Sequence, residues 1–263
     1  DVAHGKRVGI MAAACGQTLG FDVSKTTFLF DLGMLHDIGV SSTRVHGHLV
    51  AEFDWKNSQE HCTIGYGLLR DFPPLAALAD PIRYHHTRWD LLSKNANLDP
   101  AMSELANLIF LVDRVDTLAA PFYAGGAILT HTATIRQNIA EHAGSYFSPR
   151  LVEAFLTTSA SEAFWLQLES RGIQVVLQQN LANGHTFRAS MNELEQLALI
   201  FARIVDAKSP FTADHSLGVA RLACLLATRM RLGQEACDKL RIAGLLHDLG
   251  KLRVPDEILD KPG

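Results

Sequence analysis

The 263-residue sequence lacks several features that would assign a protein to a class at once. It has no basic run and a formal net charge of only −4, so its composition gives no basis for binding duplex nucleic acid or a membrane surface. No apolar run reaches the roughly 18 residues that span a bilayer. The four cysteines form no CxxC pair, which argues against a disulfide framework. We therefore expect a cytoplasmic globular protein.

Alternating strand patterns are also scarce, whereas long segments repeat apolar residues at helical spacing. The segments "MSELANLIFLVDRVDTLAA" and "NELEQLALIFARIVDA" are typical. The nine prolines lie at predicted helix starts or connections, and none lies inside a periodic run. The predicted fold class is all-α.

The sequence contains a tandem repeat without a gap. His4 and His215 are separated by 211 positions, and so are His36 and His247. We predict a first domain over residues 1–170, a linker over 171–190, and a second copy over 191–263 that matches only the start of the first. Within the linker, "IQVVLQQ" could be a strand or a short helix. A helix is expected over about 192–208, ahead of His215.

Several histidines and aspartates of the first copy lie in helical sequence among apolar neighbours. Burying such groups without partners costs several kcal/mol, and one metal ion can satisfy many of them. A set without thiolates indicates iron, manganese, zinc or another first-row divalent ion. His36 and Asp37 at a helix end could face one centre, with Asp37 between two ions and Gly39 letting the chain leave the helix. The candidates are His4, His36, Asp37, His61, His85, His86 and Asp113.

The order of these residues, in "HGKRV", "MLHDIG", "EHCTIGYGLL", "YHHTRWD" and "LVDRVDTL", resembles the HD superfamily of metal-dependent phosphohydrolases. Within it, the pattern is similar to the HD-GYP group, which hydrolyses cyclic dinucleotides. The resemblance implies an HD-domain helical bundle and two divalent metal ions per complete site. It also implies that a cyclic dinucleotide, c-di-GMP or cyclic GMP-AMP, is hydrolysed to a linear dinucleotide, with Asp37 catalytic. The implied metal ligands are His36, Asp37, His61, His85, His86 and Asp113, with His4 a ligand or a neighbour.

The second copy resembles the opening of an HD-GYP domain still more closely, in "DHSLGVARLACLLA" and "AGLLHDLGKLR". The resemblance implies His215, His247 and Asp248 as metal ligands. It makes Asp248 and Lys251 catalytic, with Lys251 contacting phosphate or the nucleophile. The remaining ligands of this copy would lie after Gly263, so we expect no diesterase activity from it in this chain.

Two departures from the family pattern affect the first copy. Val40 stands where the family has a lysine, and "LLSKNANLDP" from Leu91 stands where the Gly-Tyr-Pro loop is expected. Two alternatives therefore stay open: the first copy is a phosphomonoesterase or 5′-nucleotidase, or it is a non-catalytic regulatory or dimerisation module. The incomplete second core also suggests a homodimer. Asp116, three residues after Asp113, could hydrogen-bond a ligand.

Overall fold

The computed structural model describes residues 3–40, 58–183, 188–208 and 214–259. Within these ranges the chain is helical, apart from an isolated bridge between Ala143 and Phe147, which confirms the all-α prediction. None of the described helices has the length and apolar character needed to cross a membrane.

Two 3₁₀ helices, Ala76–Leu78 and Leu249–Arg253, lie among the α-helices of the described ranges. In chain order the α-helices are α1 (His4–Thr18), α2 (Val23–Leu35), α3 (Ser58–Leu69), α4 (Ala79–Tyr84), α5 (Trp89–Leu92), α6 (Pro100–Tyr123), α7 (Ile128–Glu141), α8 (Pro149–Thr158), α9 (Glu162–Leu166), α10 (Ser170–Asn183), α11 (Met191–Asp206), α12 (His215–Arg229), α13 (Gln234–Leu246) and α14 (Asp256–Leu259).

Local sequence explains several helix starts. Asp22 caps α2 by accepting the Lys25 N–H, at 2.8 Å. Asp99 caps α6 in the same way, and Pro100 occupies the first turn, where its missing N–H costs nothing. Ser190 and Glu193 form a reciprocal capping box at the start of α11. These contacts fix where three of the longer helices begin.

The expectation that no proline lies inside a helical run is wrong for Pro121, which lies within α6. Proline has no N–H to donate to the carbonyl one turn earlier, which normally breaks a helix. Here the helix ends at Tyr123, so only its final turn loses a hydrogen bond. The α6 helix therefore extends beyond the periodic segment seen in the sequence.

The structure repeats at the same offset as the sequence. Helices α1 and α12 have 15 residues each, α2 and α13 have 13 each, and both pairs are separated by 211 positions. Both pairs also cross at matching points. A Cβ on Gly33 would lie 2.6 Å from the Gly9 Cα, and one on Gly244 would lie 2.7 Å from the Ala220 Cα. Glycine in α2 and α13 thus allows the backbones to touch.

The main core belongs to the first copy, and later helices contribute to it. Helix α10 forms where a linker was predicted and buries Ile173 in this core. Helix α11, near the predicted 192–208, contributes Ile200 to it. Residues 184–187 of the predicted linker lie outside the described residues, and the domain boundaries stay a prediction. A second, smaller core contains Ala198, Ala202, Ala220 and Leu245.

The second copy exposes a face that the first copy buries. Leu222 and Leu226 of α12 are 56 % and 54 % exposed, whereas Met11 and Cys15, at the equivalent positions of α1, are fully buried. In the first copy, α6 and α8 pack against α1. In the described part of the second copy, α11 and α13 pack against α12 and a 3₁₀ helix packs against α11, and these leave the leucines of α12 open to solvent.

Candidate metal centre

All seven candidate residues of the first copy converge on one buried centre. His4 begins α1, His36 and Asp37 follow α2, and His61 lies in α3. Their candidate ligand atoms form two groups, and the atoms within each group lie within 4.8 Å of one another. One group is His4, His36 and Asp113, and the other is Asp37, His61, His85 and His86.

Asp37 lies between these two groups and turns one carboxylate oxygen toward each. Its Oδ1 is 3.3 Å from His61 Nε2 and 3.8 Å from His85 Nε2. Its Oδ2 is 3.6 Å from His36 Nε2 and 3.7 Å from His4 Nε2. Asp113 Oδ1 lies 3.3 Å from His4 Nε2 on the far side of the first group. A carboxylate in the position of Asp37 can serve two cations at once.

The helix ends orient two of the histidines. His36 and His85 each cap a helix and donate from Nδ1 to a carbonyl three residues earlier, of Gly33 at 2.8 Å and of Ile82 at 2.6 Å. Carbonyls in the last turn lack intrahelical partners, so these bonds satisfy both groups. Because Nδ1 carries the proton, Nε2 of each neutral ring keeps its lone pair and points into the centre.

Some buried polar atoms of the centre are unpaired within the described part of the chain. The Nε2 atoms of His61 and His85 face each other across the centre, 3.3 Å apart. Asp37 Oδ1 and His61 Nδ1 are buried without a hydrogen-bond partner among the described residues. Leaving such atoms unpaired costs free energy, which bound cations would offset. The nitrogen and carboxylate donor set fits divalent first-row metals.

Gly39 has a different role from the one expected. It was predicted to let the chain leave α2, but it does not adopt a positive φ. Instead, a Cβ at this position would lie 2.0 Å from the His61 carbonyl oxygen and 2.5 Å from the Gly65 nitrogen. Gly39 therefore allows the turn after Asp37 to lie directly on α3, which brings Asp37 next to His61.

The second copy reproduces the first half of this arrangement. His215 Nε2 is 3.2 Å from His247 Nε2, and both face Asp248 Oδ2, at 3.6 and 3.3 Å. The three residues also form a group that could hold a metal ion. Its side chains are partly exposed, with His215 at 43 %, whereas His4 is buried. Lys251 contacts Asp248 Oδ2 at 2.6 Å, a cation that the first copy lacks because Val40 stands at that position.

Both copies also match a known protein family. A model of the HD domain matches residues 2–118 and 212–263, one segment in each copy. The chain belongs to the HD domain family. This family is metal-dependent, and the described residues include His/Asp groups that could bind the metal.

Named relatives of this HD chain come from Vibrio cholerae. The chain is 37 % identical over 268 residues to 3′3′-cGAMP-specific phosphodiesterase 1, an alignment that covers all of this chain and 62 % of that protein. It is 39 % identical over 128 residues to 3′3′-cGAMP-specific phosphodiesterase 3, covering 48 % of this chain and 28 % of that protein. The chain thus spans less than two thirds of the length of these relatives.

A solved structure has a similar fold. It is a cyclic GMP-AMP specific phosphodiesterase of V. cholerae, with a TM-score of 0.65 and 25 % sequence identity. The match covers 99 % of this chain and 68 % of that one. The similarity therefore extends over both copies.

The two carboxylates of the HD centre stay ionised. Burial opposes the charge on Asp37, but His36, His61 and His85 outweigh it and hold its pKa well below the ordinary range. Burial likewise opposes the charge on Asp113, whose pKa is lowered by the Arg114 guanidinium, 2.7 Å away, and by His4. These two carboxylates therefore offer negative charge to a bound cation.

The histidines differ in their protonation. Burial lowers the pKa of His36 to about 4 and lowers that of His86 well below its ordinary value, so both are neutral ligand candidates. Burial also disfavours the charge on His4, but hydrogen bonds to Asp113 and Asp116 raise its pKa to about 10. For His85, the neighbouring Cys62 and Asp37 outweigh burial and raise the pKa to about 9. Metal binding to His4 and His85 must therefore displace protons.

The structure adds Arg7 to the residues found from the sequence and places Asp116 between Arg7 and His4. Asp116 accepts from His4 Nδ1 at 2.7 Å and from Arg7 Nε at 2.6 Å. Asp116 was expected near a ligand, but Arg7 was not singled out. Its position one turn after His4, matching Asp116 one turn after Asp113, is the signal that could have indicated it.

Proposed function

We propose that the first copy is a binuclear metal centre and that the chain belongs to a phosphohydrolase acting on a cyclic dinucleotide. The observation that carries this proposal is the position of Asp37, with one carboxylate oxygen toward each group of candidate ligands. The ligand residues would be His4, His36 and Asp113 for one ion, and His61, His85 and His86 for the other, with Asp37 between them.

The metals proposed are two divalent first-row ions per complete site, iron or manganese in the first place. When bound, such ions polarise a phosphoryl group and lower the pKa of water, which is the chemistry that phosphodiester hydrolysis needs. The protein's own contribution is the arrangement of the ligands. Asp37 acts as the catalytic carboxylate that links the two groups, and the capping bonds of His36 and His85 keep their Nε2 atoms directed inward.

The proposed substrate is cyclic GMP-AMP or c-di-GMP, cleaved to the linear dinucleotide. Two V. cholerae relatives are named as specific for 3′3′-cGAMP, which favours the mixed cyclic dinucleotide as the first substrate to test. In the second copy, His215, His247 and Asp248 would bind metal, and Asp248 and Lys251 would be the catalytic pair. The ammonium of Lys251, already beside Asp248, could contact a substrate phosphate.

Val40 favours a second candidate function. Val40 stands three residues after Asp37, where Lys251 stands relative to Asp248. At that position the first copy therefore lacks the cation that Lys251 supplies in the second. A phosphomonoester substrate, such as a nucleotide or a linear dinucleotide, is therefore the alternative for the first copy. The third candidate is a non-catalytic first copy that regulates the second or mediates dimerisation.

A substrate panel separates these functions. The purified chain, loaded with Mn²⁺ or Fe²⁺, is incubated with 3′3′-cGAMP, c-di-GMP and a linear dinucleotide, and the products are separated by liquid chromatography. We expect a linear product from a cyclic substrate, abolished by Asp37→Asn but retained by Asp248→Asn, the matched change in the second copy. Turnover of the linear dinucleotide alone would support the monoesterase.

The regulatory function predicts another result. In that case a protein with a complete second copy hydrolyses the cyclic substrate, and Asp248→Asn abolishes the activity while Asp37→Asn does not. A protein that neither contains nor takes up metal would exclude a first-copy enzyme of either kind. The catalytic and the regulatory function of the first copy are thus distinguished by whether turnover depends on Asp37 or on Asp248.

We also propose that the chain forms a homodimer through the exposed face of α12. The support is the exposure of Leu222, Leu225 and Leu226 on one helix. Light scattering after size exclusion should give a dimer mass that falls to the monomer mass in Leu222→Glu, whereas the same change at exposed Val23 should leave the mass unaltered. A monomeric wild-type chain would contradict this proposal. The cytoplasmic location stays a prediction.

A further inference from the structure

We propose that Asp116, held by Arg7, is a positioning residue that fixes His4 for metal binding in the first copy. This inference rests on the proposed metal centre and concerns residues outside its ligand set. Asp116 and Arg7 are both buried, at 1 % and 4 % exposure. Neither belongs to the groups whose atoms could hold a metal ion.

The contacts of Asp116 determine which nitrogen of His4 carries a proton. Asp116 Oδ2 lies 2.7 Å from His4 Nδ1, and the same oxygen accepts from Arg7 Nη2 at 2.9 Å, so it acts as an acceptor. His4 must therefore donate from Nδ1. In the neutral ring this leaves the lone pair on Nε2, the nitrogen needed for coordination.

The same contact fixes the orientation of the ring. His4 Nε2 lies 3.3 Å from Asp113 Oδ1 and 3.3 Å from His36 Nε2, inside the first ligand group. Rotating the ring by half a turn would place a carbon against Asp116 and another toward the centre. Asp116 thus favours the one orientation in which His4 can act as a ligand.

Arg7 holds Asp116 in place. Its Nε lies 2.6 Å from Asp116 Oδ1 and its Nη2 lies 2.9 Å from Oδ2, a two-point contact that the single ammonium of lysine cannot reproduce. The guanidinium also lies 4.6 Å from the centre of the Tyr123 ring. These contacts fix the carboxylate before any metal binds.

Helical spacing explains why Arg7 and Asp116 lie close to His4 and Asp113. Arg7 lies three residues after His4 on α1, and Asp116 lies three residues after Asp113 on α6. Residues at this spacing are neighbours on a helix surface. Arg7 and Asp116 therefore lie one turn after His4 and Asp113 on the same two helices. The packing of α1 against α6 brings both pairs together.

The second copy has no arginine at the corresponding position. Gly218 aligns with Arg7 at the repeat offset, so α12 cannot supply the same guanidinium. Instead, Asp206 accepts from the Ser216 backbone N–H at 3.1 Å and from its hydroxyl at 2.7 Å, which anchors the start of α12. Within the described residues, an arginine-held carboxylate beside the histidine that begins the helix pair is thus a feature of the first copy.

The test measures metal affinity with the second copy silenced. The whole chain carrying His215→Ala and His247→Ala is compared with the same chain carrying Asp116→Asn as well. Mn²⁺ and Zn²⁺ are titrated against a competing fluorescent chelator. We expect one of two first-copy ions to bind about 10- to 100-fold more weakly in the Asp116→Asn chain, as for other residues that orient a ligand histidine. Arg7→Lys should show a smaller loss.

A structural role alone would give a different pattern. Arg136→Lys serves as the control, because Arg136 donates to the Leu156 carbonyl and the Ser159 hydroxyl, away from the centre. It should lower the midpoint of thermal unfolding without changing metal affinity. If Asp116→Asn also lowers the unfolding midpoint but binds both ions as tightly as its parent, the positioning role is overturned.

A second measurement detects the proton on His4 directly, in the chain with Arg7 and Asp116 unaltered. Nitrogen NMR of the Zn²⁺-loaded chain, with His4 assigned by comparison with His4→Gln, should show a protonated Nδ1. A protonated Nε2 would overturn the inference while leaving the metal centre intact. Failure of the parent chain to bind any metal would instead overturn the proposed function, and the inference with it.

Discussion

His36 and His247 occupy equivalent positions, and each ends a helix by donating from Nδ1 to a glycine carbonyl three residues earlier at 2.8 Å. In both copies Nε2 then faces the histidine that begins the preceding helix, at 3.3 and 3.2 Å. In both copies the helix pair thus brings its two histidines together in the same way. The remaining ligands of the first copy come from α3, α4 and α6.

Asp37 should affect both metal positions, whereas His61 should affect one. With the second copy silenced by His215→Ala and His247→Ala, we expect Asp37→Ala to lose both first-copy ions, because its two oxygens face the two groups. His61→Ala should weaken only the ion of its own group. Metal content by plasma mass spectrometry after dialysis checks this. Equal losses in the two variants would contradict the central position of Asp37.

Gly39→Ala should destabilise the protein, because the added Cβ would meet the backbone of α3 at 2.0 Å. Overpacking of this kind costs about 1–3 kcal/mol, and the shift of the turn should also weaken metal binding. Gly67→Ala is the matched control, since a Cβ there meets nothing within 4 Å and alanine favours a helix by roughly 0.5–1 kcal/mol. The free energy of unfolding measured in urea should therefore fall in Gly39→Ala and rise in Gly67→Ala. A change in the same direction in both variants would refute the packing role of Gly39.

In the metal-free chain, the free energy of unfolding at alkaline pH should depend on the protonation of His4. The pKa of His4 is raised from 6.5 to about 10, so its protonation stabilises the folded chain fully below pH 6.5, and this contribution is lost as the pH rises through 10. The metal-free chain should lose on the order of a few kcal/mol between pH 7 and 10.

Urea unfolding in the presence of a chelator measures this loss. His85, with a pKa raised to about 9, contributes with the same sign, so the His4→Gln variant is needed to isolate the effect of His4. The variant should show a shallower decline than the wild type. Identical declines would mean that His4 is not protonated in the metal-free fold.

Val40→Lys should supply the cation that the first copy lacks. Val40 lines a cavity of about 220 Å³ between the turn after Asp37, α3 and α11, which leaves room for a longer side chain. By analogy with Lys251 and Asp248, the new ammonium should approach Asp37. We expect the KM for a cyclic dinucleotide to fall several-fold, with unchanged metal content. Val40→Met adds length without charge and should not reproduce the effect; an equal change in both variants would rule out the charge as its cause.

Much of this protein could be predicted from its sequence, for reasons that are local or periodic. Helical spacing of apolar residues identified the all-α fold, and the constant separation of His4–His215 and His36–His247 identified the repeat. The helix boundaries confirmed both, because α1 and α12, like α2 and α13, begin and end at matching positions. The ordered histidines and aspartates also indicated the centre before any geometry was known.

Tertiary structure decided what depends on contacts between distant segments. The sequence did not show that the two oxygens of Asp37 face different histidines, or that Gly39 is needed to approach α3. Nor did it show that Arg7 holds Asp116 against His4, because those residues are more than a hundred positions apart. Periodicity determines which face of a helix is buried, but only the packing of α1 against α6 determines which side chains meet there.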